Sequence, residues 1–305
     1  MSTVDLGPLA PLLSAADITE VLVNGGGDVW VERAGQLERT GLALSEDVVR
    51  HIVERIIGPL GLRLDRSSPM VDARLPDGSR LHAVTPPVAV EGTCVSIRRF
   101  RAAPFALADF GLDTGGAAYL EAAVGGGRNI LVSGGTGAGK TSLLNTLSAA
   151  LPPAVRIVTI EETAELAFSH PHVVRLEARR ANAEGAGAVT VRDLVRAALR
   201  LRPDRLIVGE VRGAEAFDMV QALNTGHDGS LSTVHANGPA EALARLQTLV
   251  LLAATGLPAE AVHAQITAAV DVVVHVARRA TGERAVTTIA EVGGLSHPEL
   301  RDAPC

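Results

Sequence analysis

The segment from Leu131 to Asn145, LVSGGTGAGKTSLLN, joins an aliphatic stretch to a helical one through a glycine-rich loop. Its spacing is G-x-x-x-x-G-K-T, in which glycines let backbone N–H groups curl around phosphate groups. The residues of this segment that would surround the phosphates are Gly134, Gly135, Thr136, Gly137, Ala138, Gly139, Lys140, Thr141 and Ser142. Lys140 is placed to reach the β- and γ-phosphates of a nucleotide, and the Thr141 hydroxyl to bind Mg²⁺. The sequence therefore predicts a site for ATP with Mg²⁺.

Downstream of residue 115, aliphatic strands alternate with helical stretches. The strand candidates read NILVS, RIVTI, VVRLEA, RLIVG and SLSTV, and helical stretches such as VRDLVRAALRLR and EAFDMVQALN separate them. This alternation predicts an α/β domain with a doubly wound, parallel-rich sheet, whose ligands lie at the carboxyl ends of the strands.

The first hundred residues predict a smaller α+β domain. Strand candidates flank the turns GGG and PDG, and a helix that Ser45 can cap lies between the two pairs. Residues 101–112 have no clear period and include one proline, which is typical of a linker. We therefore expect domains at residues 1–100 and 113–305.

Hydrolysis of ATP needs a group that orients or deprotonates water. The segment RPDRLIVGEVRG supplies Glu210 just past a buried strand candidate, at the edge of the sheet where the nucleotide is expected. The same pattern also fits a strand-end carboxylate that pairs with Arg212.

Two further groups are expected at this edge. TIEETAEL follows the strand RIVTI and places Glu161 and Glu162 where they could bind Mg²⁺ through water or position the attacking water. An acidic helix N-terminus fits this cluster equally well. His235 follows the strand SLSTV and could donate to a γ-phosphate, although a histidine at a strand end is more often structural.

Three arginines precede the predicted linker: Arg98, Arg99 and Arg101. A γ-phosphate in transfer is stabilised by arginine from a mobile or neighbouring element, and a hinge here could bring these side chains onto the nucleotide. Exposed, solvated arginines are the alternative interpretation.

Composition narrows the range of partners. The chain has 305 residues, 47% of them hydrophobic, with a formal net charge of -6 and seven aromatic residues. This balance provides no electrostatic field that attracts nucleic acid and few stacking platforms for single strands, so nucleic acid is disfavoured as a partner.

Cys94 and Cys305 form no metal or disulfide pattern. The apolar run LVLLAATGLPA is too short to span a bilayer, so we expect a cytoplasmic protein with at most peripheral membrane contact.

Taken together, four motifs in this order resemble the ATPase superfamily of type II and type IV secretion and of type IV pili. The Walker A motif is GGTGAGKTS, the acidic box TIEETAEL, the Walker B motif LIVGEVRG and the histidine box TGHDGSLSTVHANGP. The residues of the last two motifs, together with LPDGSR and SIRRF upstream, are most similar to those of the Tad or CpaF branch. This branch includes actinobacterial ATPases associated with conjugal transfer. The resemblance covers residues 16 to 293.

The resemblance implies a RecA-like P-loop ATPase domain preceded by a small, PAS-like α+β domain. It further implies a homohexameric ring on the cytoplasmic face of the inner membrane. By motif position, Lys140 and Thr141 would be the ligands of phosphate and Mg²⁺.

The other functional residues implied by the resemblance come from the remaining motifs. Glu210 corresponds to the Walker B glutamate, Glu161 to the acidic-box glutamate and His235 to the histidine-box residue. Arg98 and Arg99 fall where the family has its inter-domain arginines.

The chain also departs from the family pattern. The acidic box has Glu161–Glu162 where relatives usually have Glu-Asp, which changes the reach of Glu162 to Mg²⁺-bound water. The long helical N-terminal extension of many Tad-type ATPases is absent, and so is the tetracysteine module of the type II branch.

Three functions remain in competition at this stage. The leading interpretation is a hexameric motor that docks on a polytopic inner-membrane platform protein and powers pilus assembly or secretion. A DNA-translocating ATPase of conjugal transfer is the alternative, and it predicts a basic channel and stimulation by DNA. A P-loop small-molecule kinase would leave the motifs around Glu210 and His235 unexplained.

Overall fold

The structure is a computed structural model that describes residues 6–33, 35–99, 105–179, 181, 185–253, 256–279, 282–293 and 300–302. The chain divides into two compact units, one of residues 1–102 with 181–187 and one of residues 103–180 with 188–305. The finer division into two domains and a linker stays a prediction. Arg101 lies outside the described residues.

In its described part, the first unit contains one six-stranded antiparallel sheet in the order β3-β2-β1-β6-β5-β4. Its helices and strands are α1 (Ala10–Ser14), β1 (Ile18–Val23), β2 (Asp28–Arg33), β3 (Gln36–Ala43), α2 (Glu46–Ile57), β4 (Met70–Arg74), β5 (Arg80–Val84) and β6 (Cys94–Arg98).

Helix α2 covers one face of this sheet. Ser45 accepts a hydrogen bond from the Val48 backbone N–H and caps the helix, as the sequence predicts. Its buried residues recur every three or four positions and pack with the strands in one core, which includes Val49, Ile52 and Ile56.

The second unit carries the glycine-rich loop of Leu131 to Asn145. Its elements are α3 (Thr114–Gly125), β7 (Ile130–Gly134), α4 (Lys140–Leu147), β8 (Ile157–Glu161), β9 (Val173–Glu177), α5 (Val191–Ala198), β10 (Arg205–Val211), α6 (Glu215–Leu223), β11 (Leu231–His235), α7 (Pro239–Leu252), α8 (Ala259–Ala269), β12 (Val272–Arg278), β13 (Arg284–Val292) and β14 (Leu300–Asp302).

These strands form a sheet in the order β14-β13-β12-β7-β11-β10-β8-β9. From β12 to β9 every neighbouring pair is parallel, whereas β13 and β14 join antiparallel to the other side of β12. The predicted α/β class with a parallel-rich sheet is confirmed. All five residues of both β7 and β8 are buried, because helices pack on both faces of the sheet.

Two features lie outside the sequence predictions. Strand β3 is mostly exposed and has no apolar alternation, so its sequence carries no strand signal. Leu107, Phe110 and Leu112, from the second half of the predicted linker, are buried in the core of the second unit. Among the described residues, no helix is long and apolar enough to cross a membrane.

Candidate nucleotide-binding site

The glycine-rich loop connects β7 to α4, in the strand–loop–helix arrangement that phosphate binding requires. Gly134 ends β7, and a Cβ at this position would lie 2.3 Å from the backbone oxygen of Val276. Only glycine therefore lets the neighbouring strand approach so closely. Gly139, the residue directly before α4, has a φ of 106°, so the backbone turns sharply just before Lys140.

Lys140 folds back over this loop. Its Nζ donates to the backbone oxygens of Gly134 and Gly135, both at 3.0 Å, and the side chain is buried. Burial lowers the pKa of Lys140, while the charge of Glu210 acts in the opposite direction. The ammonium is thus held at the loop by two neutral acceptors, which anionic phosphate oxygens would replace with stronger partners.

The parallel strands bring the other predicted residues to the same edge of the sheet. His235 pairs in register with Gly134, and Val234 pairs with Val211, the residue after Glu210. Because β8 lies beside β10 and runs parallel to it, Glu161 at the end of β8 lies at this edge too. The predicted gathering of these polar residues at the carboxyl edge is confirmed, and the His235 side chain is exposed there.

Glu210 lies inside β10, one residue before its end, whereas the sequence places it just past the strand. Its side chain is 25% exposed and accepts a hydrogen bond from Arg212 Nη2. Arg212 Nη1 also donates to Glu162, at 3.1 Å. The ion pair considered for Glu210 is therefore present, and the guanidinium of Arg212 links Glu210 to Glu162.

The backbone beneath this ion pair is fixed by Glu215. Its Oε1 accepts from the N–H groups of Arg212 and Gly213, at 2.7 and 2.8 Å. Glu215 is buried at the start of α6. A buried carboxylate that accepts from two backbone N–H groups restrains the turn after β10. The backbone from which the Arg212 side chain extends is therefore fixed.

Glu161 has a different environment from the exposed Glu162. It is 4% exposed, and its Oε1 accepts from the N–H groups of Glu165 and Leu166 at 2.8 and 2.9 Å. Its Oε2 is buried without a hydrogen-bond partner among the described residues. Burial raises the pKa of Glu161 to about 7, and the two backbone donors oppose that shift. Glu161 thus anchors the acidic loop from inside the sheet edge.

This burial predicts a pH dependence of stability. An ordinary glutamate ionises near pH 4.5, whereas the pKa of Glu161 in the fold is about 7. As pH rises between these values, the unfolded chain releases a proton that the folded chain retains. The free energy of unfolding therefore falls across this window, by roughly 3 kcal/mol from this group. Replacing Glu161 with Gln should remove that fall, as denaturant titrations at several pH values would measure.

The test compares how the free energy of unfolding changes with pH in the wild type and in the variant. A loss of stability that is the same at every pH does not affect it. A glutamine amide at position 161 would leave a buried N–H₂ unpaired, which costs about 1–3 kcal/mol at every pH. The difference between the wild type and the Glu161→Gln variant should therefore change between pH 4.5 and 7 and be constant above. Parallel pH profiles would contradict the assignment of the titration to Glu161.

The site also contains contacts that the sequence analysis missed. His275 on β12 shares a hydrogen bond of 2.9 Å with Ser133, the residue before Gly134, and burial lowers the pKa of His275. Asn145 on α4 accepts from the Ala167 N–H at 2.9 Å and so ties the P-loop helix to the acidic loop. Neither residue stands out in the sequence, because each contact depends on strand order or loop path.

Arg98 and Arg99 belong to the first unit. Arg98 ends β6 and is exposed. Arg99 Nη1 donates to the backbone oxygens of Ile18, at 2.9 Å, and of Ala15. Arg99 thus has a structural role at the start of β1, and the inter-domain role of both arginines stays a prediction.

The residues fit the Mg²⁺ that such a loop implies. No described group of three or more His, Cys, Asp or Glu side chains could hold a metal ion by itself. Mg²⁺ is often bound by one or two protein oxygens together with phosphates and water, so a complete protein cage is not needed. Thr141 at the start of α4 and Glu162 are the candidate residues near such an ion.

The sequence of the chain matches a known protein family and curated relatives. Residues 2–298 match the family described as Type II/IV secretion system protein. The chain is 49% identical over 295 residues to a "Putative conjugal transfer protein" of Mycobacterium tuberculosis, and the match covers 93% of this chain and 83% of that protein. It is 35% identical over 331 residues to the type IV secretion system protein PtlH of Bordetella pertussis, with 96% of each covered.

A solved structure extends the likeness to three dimensions. The VirB11 ATPase from the Brucella suis type IV secretion system, in complex with sulphate, superposes with a TM-score of 0.52 and 30% identity, over 93% of this chain and 92% of that one. The family match spans almost the whole chain, and the four motifs lie at one edge of the sheet as such an enzyme needs. The chain therefore belongs to the type II/IV secretion system protein family and is a secretion ATPase.

Proposed function

We propose that this ATPase is the motor subunit of a pilus-assembly or secretion machine. In this proposal it binds ATP with Mg²⁺ and works as a homohexamer on the cytoplasmic loops of a polytopic inner-membrane platform protein. The observation that carries the proposal is the shared sheet edge, where the charge of Glu210 acts on Lys140. A site that only bound nucleotide would not need the carboxylate of Glu210.

The chain's own residues divide the chemistry between them. Lys140 and the loop N–H groups bind the phosphates, and Mg²⁺ would neutralise phosphate charge with Thr141 and Glu162 nearby. Glu210 orients or deprotonates the attacking water, and Arg212 holds its carboxylate in place. His235 at the end of β11 donates to the γ-phosphate.

Glu161 acts from beneath this site. Its buried carboxyl fixes the N–H groups of Glu165 and Leu166, so the acidic loop keeps its conformation as the nucleotide changes. The catalytic role that the resemblance implies for Arg98 and Arg99 belongs to the same proposal, in which each ATP cycle is coupled to movement.

The names of the relatives support a role in transport across membranes. PtlH and VirB11 are type IV secretion proteins of their own organisms. Membership of the Tad or CpaF branch, which would narrow the machine to a pilus, stays a prediction. The peripheral location at the cytoplasmic face of the membrane belongs to the same proposal.

One observation favours a second candidate. The Mycobacterium tuberculosis relative carries a conjugal transfer name, which is compatible with a DNA-translocating ATPase. The formal net charge of -6 weighs against that function, because translocation along DNA relies on neutralising phosphates with basic groups.

ATPase activity with defined additives separates the two functions. We expect purified protein to hydrolyse ATP slowly alone and at least about threefold faster with phosphatidylglycerol vesicles or with peptides of the cytoplasmic loops of the proposed platform protein. Phosphatidylcholine vesicles are the matched neutral control, and the Glu210→Gln variant measures contaminating activity. Sedimentation with ATP should show a hexamer of about 190 kDa, since one chain is 31.5 kDa.

DNA provides the opposing outcome. Single- and double-stranded DNA should change the rate little at physiological salt. Strong activation by DNA with no response to lipid or loop peptides would favour the DNA-translocating function and reject the motor proposal.

A further inference from the structure

An arginine outside the four motifs lies against the P-loop. Arg284 begins β13, and β13 pairs with β12, the neighbour of β7. A Cβ placed on Gly139 would lie 2.5 Å from Arg284 Cδ and 3.1 Å from its Nε. The stem of Arg284 therefore fills the space beside the last glycine of the loop, directly before Lys140.

An aromatic ring orients the guanidinium of Arg284. Its Cζ lies 4.8 Å from the centroid of the Phe105 ring. Phe105 in turn meets Phe110 edge to face, with ring centroids 5.8 Å apart, and Phe110 is buried in the core. The guanidinium is thus stacked on an anchored ring and is partly pre-organised for a planar, bidentate partner.

The charge of Arg284 lacks a counterion in the described part of the chain. Its Nε is buried without a hydrogen-bond acceptor. Burial lowers its pKa, and the other charge that acts on it belongs to a second cation, Arg278. Arg284 is partly buried, and a partly buried cation near another cation costs free energy that a bound anion would offset.

We propose that Arg284 is a nucleotide-binding residue whose guanidinium contacts a phosphate oxygen of the nucleotide held by the P-loop. This inference rests on the proposed function, in which ATP occupies that loop. Phosphate is favoured over the base because Arg284 lies at Gly139, whose neighbouring N–H groups serve phosphates, and because an unpaired guanidinium binds phosphate oxygens in a fork. Arg284, on β13, and Glu210, on β10, would then act on the nucleotide from strands that lie to either side of β7.

The test replaces Arg284 with Met, which keeps an unbranched apolar stem against Gly139 and Phe105 but removes the charge. Binding of ATP and of inorganic tripolyphosphate is measured by titration calorimetry. We expect both affinities to fall by about tenfold or more, the usual effect of losing a charge-assisted hydrogen bond. The matched control is Arg279→Met, which removes an exposed charge from the same hairpin and should leave both affinities within about twofold.

Thermal unfolding separates binding from packing. A purely structural Arg284 would lower the melting temperature of Arg284→Met without changing the rise that tripolyphosphate produces. The proposal expects that rise to shrink, because ligand stabilisation follows affinity. Arg284→Lys keeps the charge without the fork and should bind with intermediate affinity, which keeps the proposal testable if the Met variant folds poorly.

Each other outcome has a defined meaning. Weaker ATP binding with unchanged tripolyphosphate binding would place the contact on the base or ribose and overturn the proposal. Unchanged affinity for both ligands in Arg284→Met and Arg284→Lys would overturn it as well. If the wild type bound neither ATP nor tripolyphosphate, the proposed function itself would fail, whatever the variants did.

Discussion

The Glu210→Gln variant is expected to bind ATP with near-normal affinity and to lose steady-state hydrolysis by about a hundredfold or more. Glutamine has the same shape and can still accept the hydrogen bond from Arg212, so the turn that Glu215 fixes should be retained. It cannot accept a proton, and it orients water less well. Phosphate release measures the rate, and titration with a fluorescent ATP analogue measures the affinity.

Loss of one negative charge could by itself alter the site, so a charge control is needed. Glu121→Gln removes an exposed carboxylate from α3 and should leave turnover unchanged within about twofold. Near-normal turnover by Glu210→Gln would remove Glu210 from its role. A loss of ATP affinity equal to the loss of rate would make it a binding residue instead.

The sequence predicted those parts of the site that depend on local chain order. The strand–loop–helix around Lys140 follows from glycine spacing and from an aliphatic run, and both are visible within fifteen residues. The common edge of Glu161, Glu210 and His235 follows because each ends or nearly ends a parallel strand. These inferences need only the prediction that the strands are parallel. They do not need the order of the strands in the sheet.

The environment of each carboxylate could not be read from the sequence. Glu161 and Glu162 are adjacent, yet one is buried and the other exposed. The difference arises because the chain after Glu162 folds back over β8 and donates two N–H groups to Glu161, and because Gly209 on the next strand leaves room for its side chain. The first cause is the path of the chain within the acidic box and the second is a contact with another strand, and the residue pattern shows neither.

Arg284 shows the same limit more strongly. Nothing in its own segment, GERAVTTIAEV, indicates a phosphate ligand. It reaches Gly139 only because the β12–β13 hairpin adds to the sheet beside β7, and that strand order is a long-range property. Residues that complete a site from a neighbouring strand are therefore found by structure.

Replacing Lys140 with Ala should lower ATP affinity by at least about a hundredfold, because the phosphates lose a buried cation. The backbone oxygens of Gly134 and Gly135 also lose their donor, so a folding control is required. Lys140→Arg keeps the charge and should preserve the fold while binding ATP less well, since a planar fork replaces a point charge. Isothermal titration and thermal unfolding of both variants measure these effects.

A chemical experiment on the unmutated chain tests the same contact without that complication. Lys140 is the only lysine among the 305 residues, so an amine-directed acetylating reagent has one side-chain target apart from the chain's amino terminus. Burial lowers the pKa of Lys140, which increases the fraction of reactive, uncharged amine near pH 8 once reagent reaches it. ATP with Mg²⁺ should slow acetylation of Lys140 by about tenfold or more, because bound phosphates cover the amine and hold it in the charged form.

Peptide mass spectrometry follows the modification, and acetylated protein should lose hydrolysis in proportion to the modified fraction. An acetylation rate that ATP leaves unchanged would show that the nucleotide does not contact Lys140, and the phosphate site would have to lie elsewhere.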